Sequence, residues 1–331
     1  MRVELGPAGP VLSHEPARRP PDGPAVLVRI ELAGLCRSDL KEVTGARHGV
    51  SQFGHEIVGV VTESDVPGLP PGRRVGLDPN VPAVRRGSGF ATEMWVAGPV
   101  ERLVAALPVL PDGLSARRLV FAEPVACVRH CLSVLTMDLG RPLRDLRLAV
   151  LGAGTAGVLA AGLAHAGGAS VVVGNRGGDR TEFLRERRVL EVPVGPLSEL
   201  ASDGVDAAVI TTSFVRPEVL AEALRVVVPG GLVLLYGGTK PGDALAGLDC
   251  DLDTVRRTES AVSTRWCGKP VVVAGSYGTV PADFGAAVEA LAGIALPVER
   301  MITCEVPLAE LPGVLREQAS GRFLGKTLVL P

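Results

Sequence analysis

Leu148-Ala149-Val150-Leu151-Gly152-Ala153-Gly154-Thr155-Ala156-Gly157 decides how this chain is read. Leu148 to Leu151 is an apolar strand, and Val158 to Ala166 continues as an Ala-rich helix. The glycine spacing between them has a mechanical meaning. Gly152 allows the tight strand-to-helix turn, Gly154 lets backbone approach a pyrophosphate, and Gly157 lets helix and strand pack closely. The helix N-terminus, at Thr155 and Ala156, then faces the anion. A strand before and a helix after turn this spacing into a dinucleotide-binding signal. Without them it would be a glycine-rich turn with no ligand.

Downstream, apolar strands alternate with helical stretches. Val171–Val173, Ala207–Ile210, Leu232–Leu235 and Val271–Ala274 read as strands, and Pro217–Val227 as a further helix. Such alternation predicts a parallel sheet covered on both faces. The end of the second strand carries no acidic residue for a ribose 2′-hydroxyl. It offers Gly174-Asn175-Arg176 and then Arg180. A neutral amide beside two guanidiniums suits a phosphate dianion, which favours NADP(H). If Arg176 and Arg180 are ordinary solvated charges, NAD(H) is the cofactor.

Upstream, the character is β-rich. Residues 25–35, 57–62 and 89–96 read as strands, and Pro67 to Gly72 as a turn cluster. Val125 to Leu135 reads as a helix, with Pro124 at its start, where a missing N–H costs least. The chain closes on a short strand, Lys326 to Leu330, expected to pack back on the N-terminal domain.

Bulk composition narrows the function classes. At 331 residues the chain has room for about two domains of ~150 residues each. The net charge is −2 and the basic residues are scattered, which argues against nucleic acid as a partner. Residues 1–21 contain no apolar run of the signal-peptide type. No stretch approaches ~18 uncharged apolar residues, so no membrane span is expected. The six cysteines lack disulfide-like spacing, which points to a reducing, cytoplasmic setting.

Chemistry-bearing residues cluster early. Cys36-Arg37-Ser38-Asp39 is followed by Gly54-His55-Glu56, and later by Glu123-Pro124. Thiolate, imidazole and carboxylate are the ligand types of zinc. Each has a plainer alternative: free cysteines are usually buried hydrophobes, His55 could be a satisfied core histidine, and Ser38 a helix cap.

Taken with Gly72-Arg73-Arg74-Val75, Gly275-Ser276-Tyr277-Gly278 and Gly325-Lys326, these motifs resemble the medium-chain zinc-dependent alcohol and polyol dehydrogenases. They occur in that family's order and approximate spacing, and Glu before Pro resembles its sorbitol and threonine dehydrogenase branch. The resemblance implies an α/β chain. A GroES-like β-rich catalytic domain would comprise residues 1–120 and 288–331, and a Rossmann domain residues 121–287, with the active site in the cleft between them.

The resemblance also implies roles. Cys36 and His55 would be fixed ligands of one catalytic zinc, Glu123 the third, and Glu56 a ligand or near-ligand exchanging with water. Such a site acts as a Lewis acid toward an alcohol oxygen. Ser38 would bond the substrate oxygen and begin a proton relay. Asp39 would orient the zinc-bound His55. Arg37 and Lys326 would contact the cofactor pyrophosphate, and Thr211 and Ser276 are further cofactor-binding candidates. Cys127, one helical turn after Glu123, is a competing ligand, and Cys131 is core. The activity implied is interconversion of a secondary alcohol (polyol, cyclitol, amino-alcohol or sugar-like) and its ketone, in a homodimer or homotetramer. A zinc-free enone or quinone reductase and a catalytically silent NADPH-binding sensor are the alternatives.

The chain also departs from the family pattern. No cysteine lies between Val75 and Gly89, where many relatives carry a second, structural zinc, so one zinc per chain is expected. Lys41 stands where a relay histidine is common, and a lysine near pKa ~10.4 is a poor shuttle at neutral pH. His48 is a candidate substitute. Arg73 replaces an acidic residue usual in its turn.

Overall fold

The computed structural model describes residues 1–47, 51–200, 204–293, 296–321 and 323–331. His48 therefore lies outside the described residues. The described chain forms two compact units. The first comprises Met1–Glu123, Thr279–Ala292 and Met301–Pro331, and the second Pro124–Gly278 and Gly293–Arg300. The seam differs in detail from the sequence expectation. Residues 279–287, expected in the cofactor domain, pack with the first unit, and 293–300, expected in the catalytic domain, pack with the second. No contiguous apolar pattern marks either exchange.

The first unit is built on the long strand Ala25–Gly34. It pairs antiparallel with Glu56–Ser64, Glu93–Ala97 and the closing strand Lys326–Leu330. The expected return of the C-terminal strand is thus found. Val28, Ile30, Leu35, Ile57, Phe90, Met94 and Val329 share one core. The strand expected from residue 89 begins only at Glu93. Phe90 is spent instead on a crossing contact, its carbonyl accepting the Val3 N–H.

The second unit holds a seven-stranded sheet. Its spatial order is Val194–Pro196, Ser170–Asn175, Arg147–Leu151, Val205–Ile210, Val227–Leu235, Lys269–Gly275 and Ala261–Trp266. All pairings are parallel except the last. The order reverses between Arg147–Leu151 and Val205–Ile210, the switch point at which ligands bind in doubly wound sheets. The helix Pro217–Val226 starts on a proline and buries Val219, Leu220, Ala223 and Leu224 against this sheet. The expected α/β class is therefore correct.

The helix Ala122–Leu139 is longer than the 125–135 expected. With the short helix Ala116–Leu119 before it, it is also long and apolar enough to cross a membrane by length and composition. Yet 78% of its most apolar window is buried within the fold, as in a core helix.

Candidate metal centre and nucleotide-binding turn

Cys36 follows the end of Ala25–Gly34 and forms the N-cap of the short helix Arg37–Val43. His55 and Glu56 sit where the neighbouring strand begins. Gly54 precedes them at φ +64°, and a Cβ there would stand 2.6 Å from the Phe90 nitrogen. Only glycine lets the two ligand-type residues enter the strand at that angle.

The donor atoms of Cys36, His55 and Glu56 lie within 4.8 Å of one another. His55 and Glu56 are buried and Cys36 is partly so. His55 Nδ1 lies 2.8 Å from the Gln52 carbonyl, which accepts its N–H and leaves Nε2 as the donor for a metal. Ser38 Oγ is 3.4 Å from that Nε2. Glu123 is buried at the start of Ala122–Leu139. Burial alone would lower the His55 pKa, but the charges of Glu123, Cys36 and Asp39 outweigh it and hold the imidazole well above its ordinary value. The donor chemistry fits zinc: one thiolate, one imidazole and carboxylate oxygen.

Asp39 has a different principal task from the one expected. Its two oxygens accept the N–H groups of Cys36 at 2.8 Å and Gly54 at 2.9 Å. His55 Nδ1 is 3.6 Å away, an electrostatic contact rather than a hydrogen bond. One fully buried carboxylate therefore ties together the two segments that carry the ligands.

Lys326 was expected on the cofactor pyrophosphate. The structure buries its ammonium in an ion pair with Glu56, with Nζ 5.8 Å from the Phe121 ring centroid. Strand pairing sets Glu56 opposite Gly34, and a Cβ on Gly34 would lie 2.5 Å from Glu56 Oε2 and 2.9 Å from Lys326 Cε. That glycine makes room for the pair. Burial lowers the Lys326 pKa by itself, but Glu56, Cys36 and Asp39 raise it overall, so it is firmly cationic. Arg37, by contrast, is exposed and stacked over Phe323 at 5.3 Å.

In the second unit, Gly152 (φ +116°) ends the first parallel strand and its N–H bonds the Gly174 carbonyl at 2.8 Å. A Cβ on Gly157 would lie 1.7 Å from the Gly152 carbonyl oxygen, so only glycine closes this turn. Around Gly154 a Cβ would meet open space. Gly154, Thr155 and Ala156 are partly exposed at the start of Thr155–Ala166, which suits an anion at the helix N-terminus.

The remaining cofactor candidates divide. Thr211 donates its hydroxyl to the carbonyls of Leu151 and Gly152, so it braces the turn. Asn175 turns its amide inward, accepting the Ala153 N–H and donating to Gly177. Arg176 is exposed and pairs with Glu218 at 3.2 Å, and Arg180 is half-buried on the next helix. Ser276 is buried, its hydroxyl hydrogen-bonded to the Cys131 thiol, whose pKa burial pushes up to about 12. Cys131 is core, as expected. Sequence reasoning missed Gln52 and the Glu56–Lys326 pair; no local pattern marks either, because each depends on chain segments meeting in space.

The chain folds as a β-rich unit that gathers metal-ligand-type side chains and a unit with a doubly wound, largely parallel sheet. Residues 22–104 match the alcohol dehydrogenase GroES-like domain. The chain is 26% identical to a sorbitol dehydrogenase from Bombyx mori over 78% of this chain and 82% of that protein. In solved structures it resembles the alcohol dehydrogenase TADH from Thermus sp. ATN1 (22% identity, TM-score 0.74, covering 99% of this chain and 98% of that one). It also resembles 2R,3R-butanediol dehydrogenase from Bacillus subtilis (20% identity, TM-score 0.69, covering 99% and 98%). The resemblance to the medium-chain zinc-type alcohol dehydrogenases is thereby borne out.

Proposed function

We propose that this chain is a zinc-dependent, NAD(P)-linked oxidoreductase that interconverts a secondary alcohol of the polyol type and its ketone. One observation carries the reading: Cys36, His55 and Glu56 bring thiolate, imidazole and carboxylate donors to a single point in a chain that also folds a pyrophosphate-type glycine turn. The relatives named as sorbitol and butanediol dehydrogenases support the substrate class.

Cys36, His55 and Glu56 would hold a zinc ion, which would supply Lewis acidity toward an alcohol oxygen, while the Glu123 carboxylate acts on His55 through its charge. The chain's own residues set the conditions. Gln52 fixes the His55 tautomer, and Asp39 holds the two ligand segments in register. Lys326 offsets the charge of Glu56, so the Cys36 thiolate and the carboxylates would not leave the centre with excess negative charge when a divalent metal is bound. Ser38 Oγ, next to His55 Nε2, holds or passes the hydroxyl proton. Arg176, just past the end of the second strand, and Arg180, on the following helix, favour the 2′-phosphate of NADP(H).

The test is metal analysis of the purified protein, together with a screen of polyols, aminocyclitols and their ketones with NAD and NADP, read by absorbance of the reduced nicotinamide. The expected result is about one zinc per chain and turnover that Cys36→Ala abolishes. Zinc content near zero with retained enone reduction would overturn the reading in favour of a zinc-free reductase. Arg176→Ala with Arg180→Ala should raise the KM for NADP and leave that for NAD nearly unchanged; equal effects on both would remove the NADP assignment.

A further inference from the structure

Among the described residues, two buried side-chain polar atoms lack a hydrogen-bond partner: Gln318 Oε1 and Arg86 Nη2. The second is the more costly, because it belongs to a cation. An unsatisfied buried polar group costs about 1–3 kcal/mol, and more when charged. Each such group in a folded protein requires a reason.

Arg86 lies in the two-residue strand Arg85–Arg86, inside the short connection between Val75 and Gly89. Its Nη1 donates to the carbonyls of Phe53 at 3.0 Å and Gly87 at 2.9 Å. Phe53 is two residues before His55, so the guanidinium is clamped to the segment that carries the metal-ligand histidine. Burial lowers its pKa to about 10, which still leaves a full cation at neutral pH; Asp39, Glu42 and Glu123 oppose that lowering and Arg47 adds to it. Asp39 and Glu123 are the same carboxylates that act on His55. Guanidinium and imidazole therefore stand in one shared field.

Two of the neighbouring carboxylates are already engaged. Asp39 accepts from Cys36 and Gly54. Glu42 accepts from Ser51 and the Gln52 N–H, and pairs with Arg47 at 3.4 Å. Arg86 Nη2 presents two N–H donors beside the metal-ligand segment with nothing bonded to them. The nearby carboxylates act on the guanidinium through space, but none supplies Nη2 with an acceptor, and a neutral hydroxyl would give it only an ordinary hydrogen bond. An oxyanion gives it a charge-assisted bond, roughly twice as strong.

We propose that Arg86 Nη2 anchors an oxyanion, a carboxylate or a phosphate, carried by the alcohol substrate, so that the preferred substrates are acidic rather than neutral polyols. This rests on the dehydrogenase reading above and names the substrate class of that same site.

The test compares zinc-loaded wild type, Arg86→Gln and Arg86→Lys on matched substrates: sorbitol, gluconate and sorbitol 6-phosphate, with NAD and NADP. Wild type should favour one of the two acids over sorbitol in kcat/KM, and which acid it favours separates carboxylate from phosphate. Arg86→Gln should lose ~30-fold or more on that acid relative to its change on sorbitol, chiefly through KM, the size expected when one partner of a buried charge pair is removed. Arg86→Lys should recover part of the loss. In parallel, gluconate or inorganic phosphate should raise the Tm of wild type and not of Arg86→Gln.

Equal use of sorbitol and both acids by wild type, with no anion-dependent rise in Tm, overturns the anchor and leaves the dehydrogenase reading standing. Absence of turnover with every alcohol overturns the dehydrogenase reading. In that event the Arg86-dependent Tm shift still decides whether the oxyanion site exists. The wild-type measurements need no variant, so a misfolded Arg86→Gln does not block the decision.

Discussion

Asp39→Asn separates two ways in which a buried carboxylate can support a metal site. Asp39 is fully enclosed and accepts two backbone N–H groups through different oxygens, that of Cys36 at 2.8 Å and that of Gly54 at 2.9 Å. Asparagine keeps the volume but has one acceptor oxygen. It serves one N–H as a neutral acceptor and turns its own NH2 toward the other, which is left buried without a partner. Weakening the first bond costs about 1 kcal/mol and orphaning the second donor about 1–2, so the loss is ~2–3 kcal/mol. With an m-value of about 2 kcal/mol/M, the urea midpoint should fall by ~1–1.5 M. Because the two N–H groups belong to the ligand segments, zinc affinity should fall by about 10–100-fold as well. The first unit reports alone if Trp266 is replaced by Phe, since Trp95 is then the remaining tryptophan. The assay is urea unfolding of metal-stripped protein by Trp95 fluorescence, followed by zinc competition against a chromophoric chelator. An unchanged midpoint with weakened zinc binding would refute this reasoning. Asp39 would then act on the His55 ring and not as the tie between segments.

Three further outcomes are expected. Gly157→Ala should abolish dinucleotide binding measured by fluorescence quenching, because its Cβ would sit 1.7 Å from the Gly152 carbonyl oxygen and the turn cannot close; retained affinity would show that the turn relaxes. Lys326→Met should destabilise the metal-stripped protein by ~3–5 kcal/mol by leaving Glu56 buried and uncompensated. Adding Glu56→Gln should recover much of that loss, whereas a purely additive double-mutant cycle would contradict the ion pair. Asp206 accepts from the Arg147 N–H at 2.7 Å and the guanidinium of Arg141 at 3.2 Å. Burial raises its pKa, but these bonds prevail and hold it below the ordinary carboxylate value. Its folded pKa therefore lies below the unfolded ~3.9, so its contribution is complete above ~pH 4 and is lost as pH falls through the folded value. Asp206→Asn should cost ~1 kcal/mol at neutral pH, and the gap in urea stability should close in strong acid.

Much of this protein is legible in its sequence. The glycine turn is a local device: each of Gly152, Gly154 and Gly157 acts on backbone within a few residues, so spacing alone specifies it. The strands and helices of the second unit follow from apolar alternation, and Cys36, His55 and Glu56 announce metal chemistry by residue type. Other features depend on segments far apart in the chain. Lys326 meets Glu56 across 270 positions, because the closing strand pairs next to Ala25–Gly34 and Gly34 leaves a hole for both side chains. Motif matching put that lysine on a cofactor. Asp39 lies near His55, but its bonds go to backbone amides, which no residue pattern records. Arg86 reads as one more arginine in a loop until folding encloses its guanidinium and leaves one nitrogen without an acceptor. Ligand chemistry and the nucleotide turn were set by short-range covalent order. Charge pairing, burial and the orphaned cation were decided only when the strands came together, because desolvation and long-range contacts have no local signature.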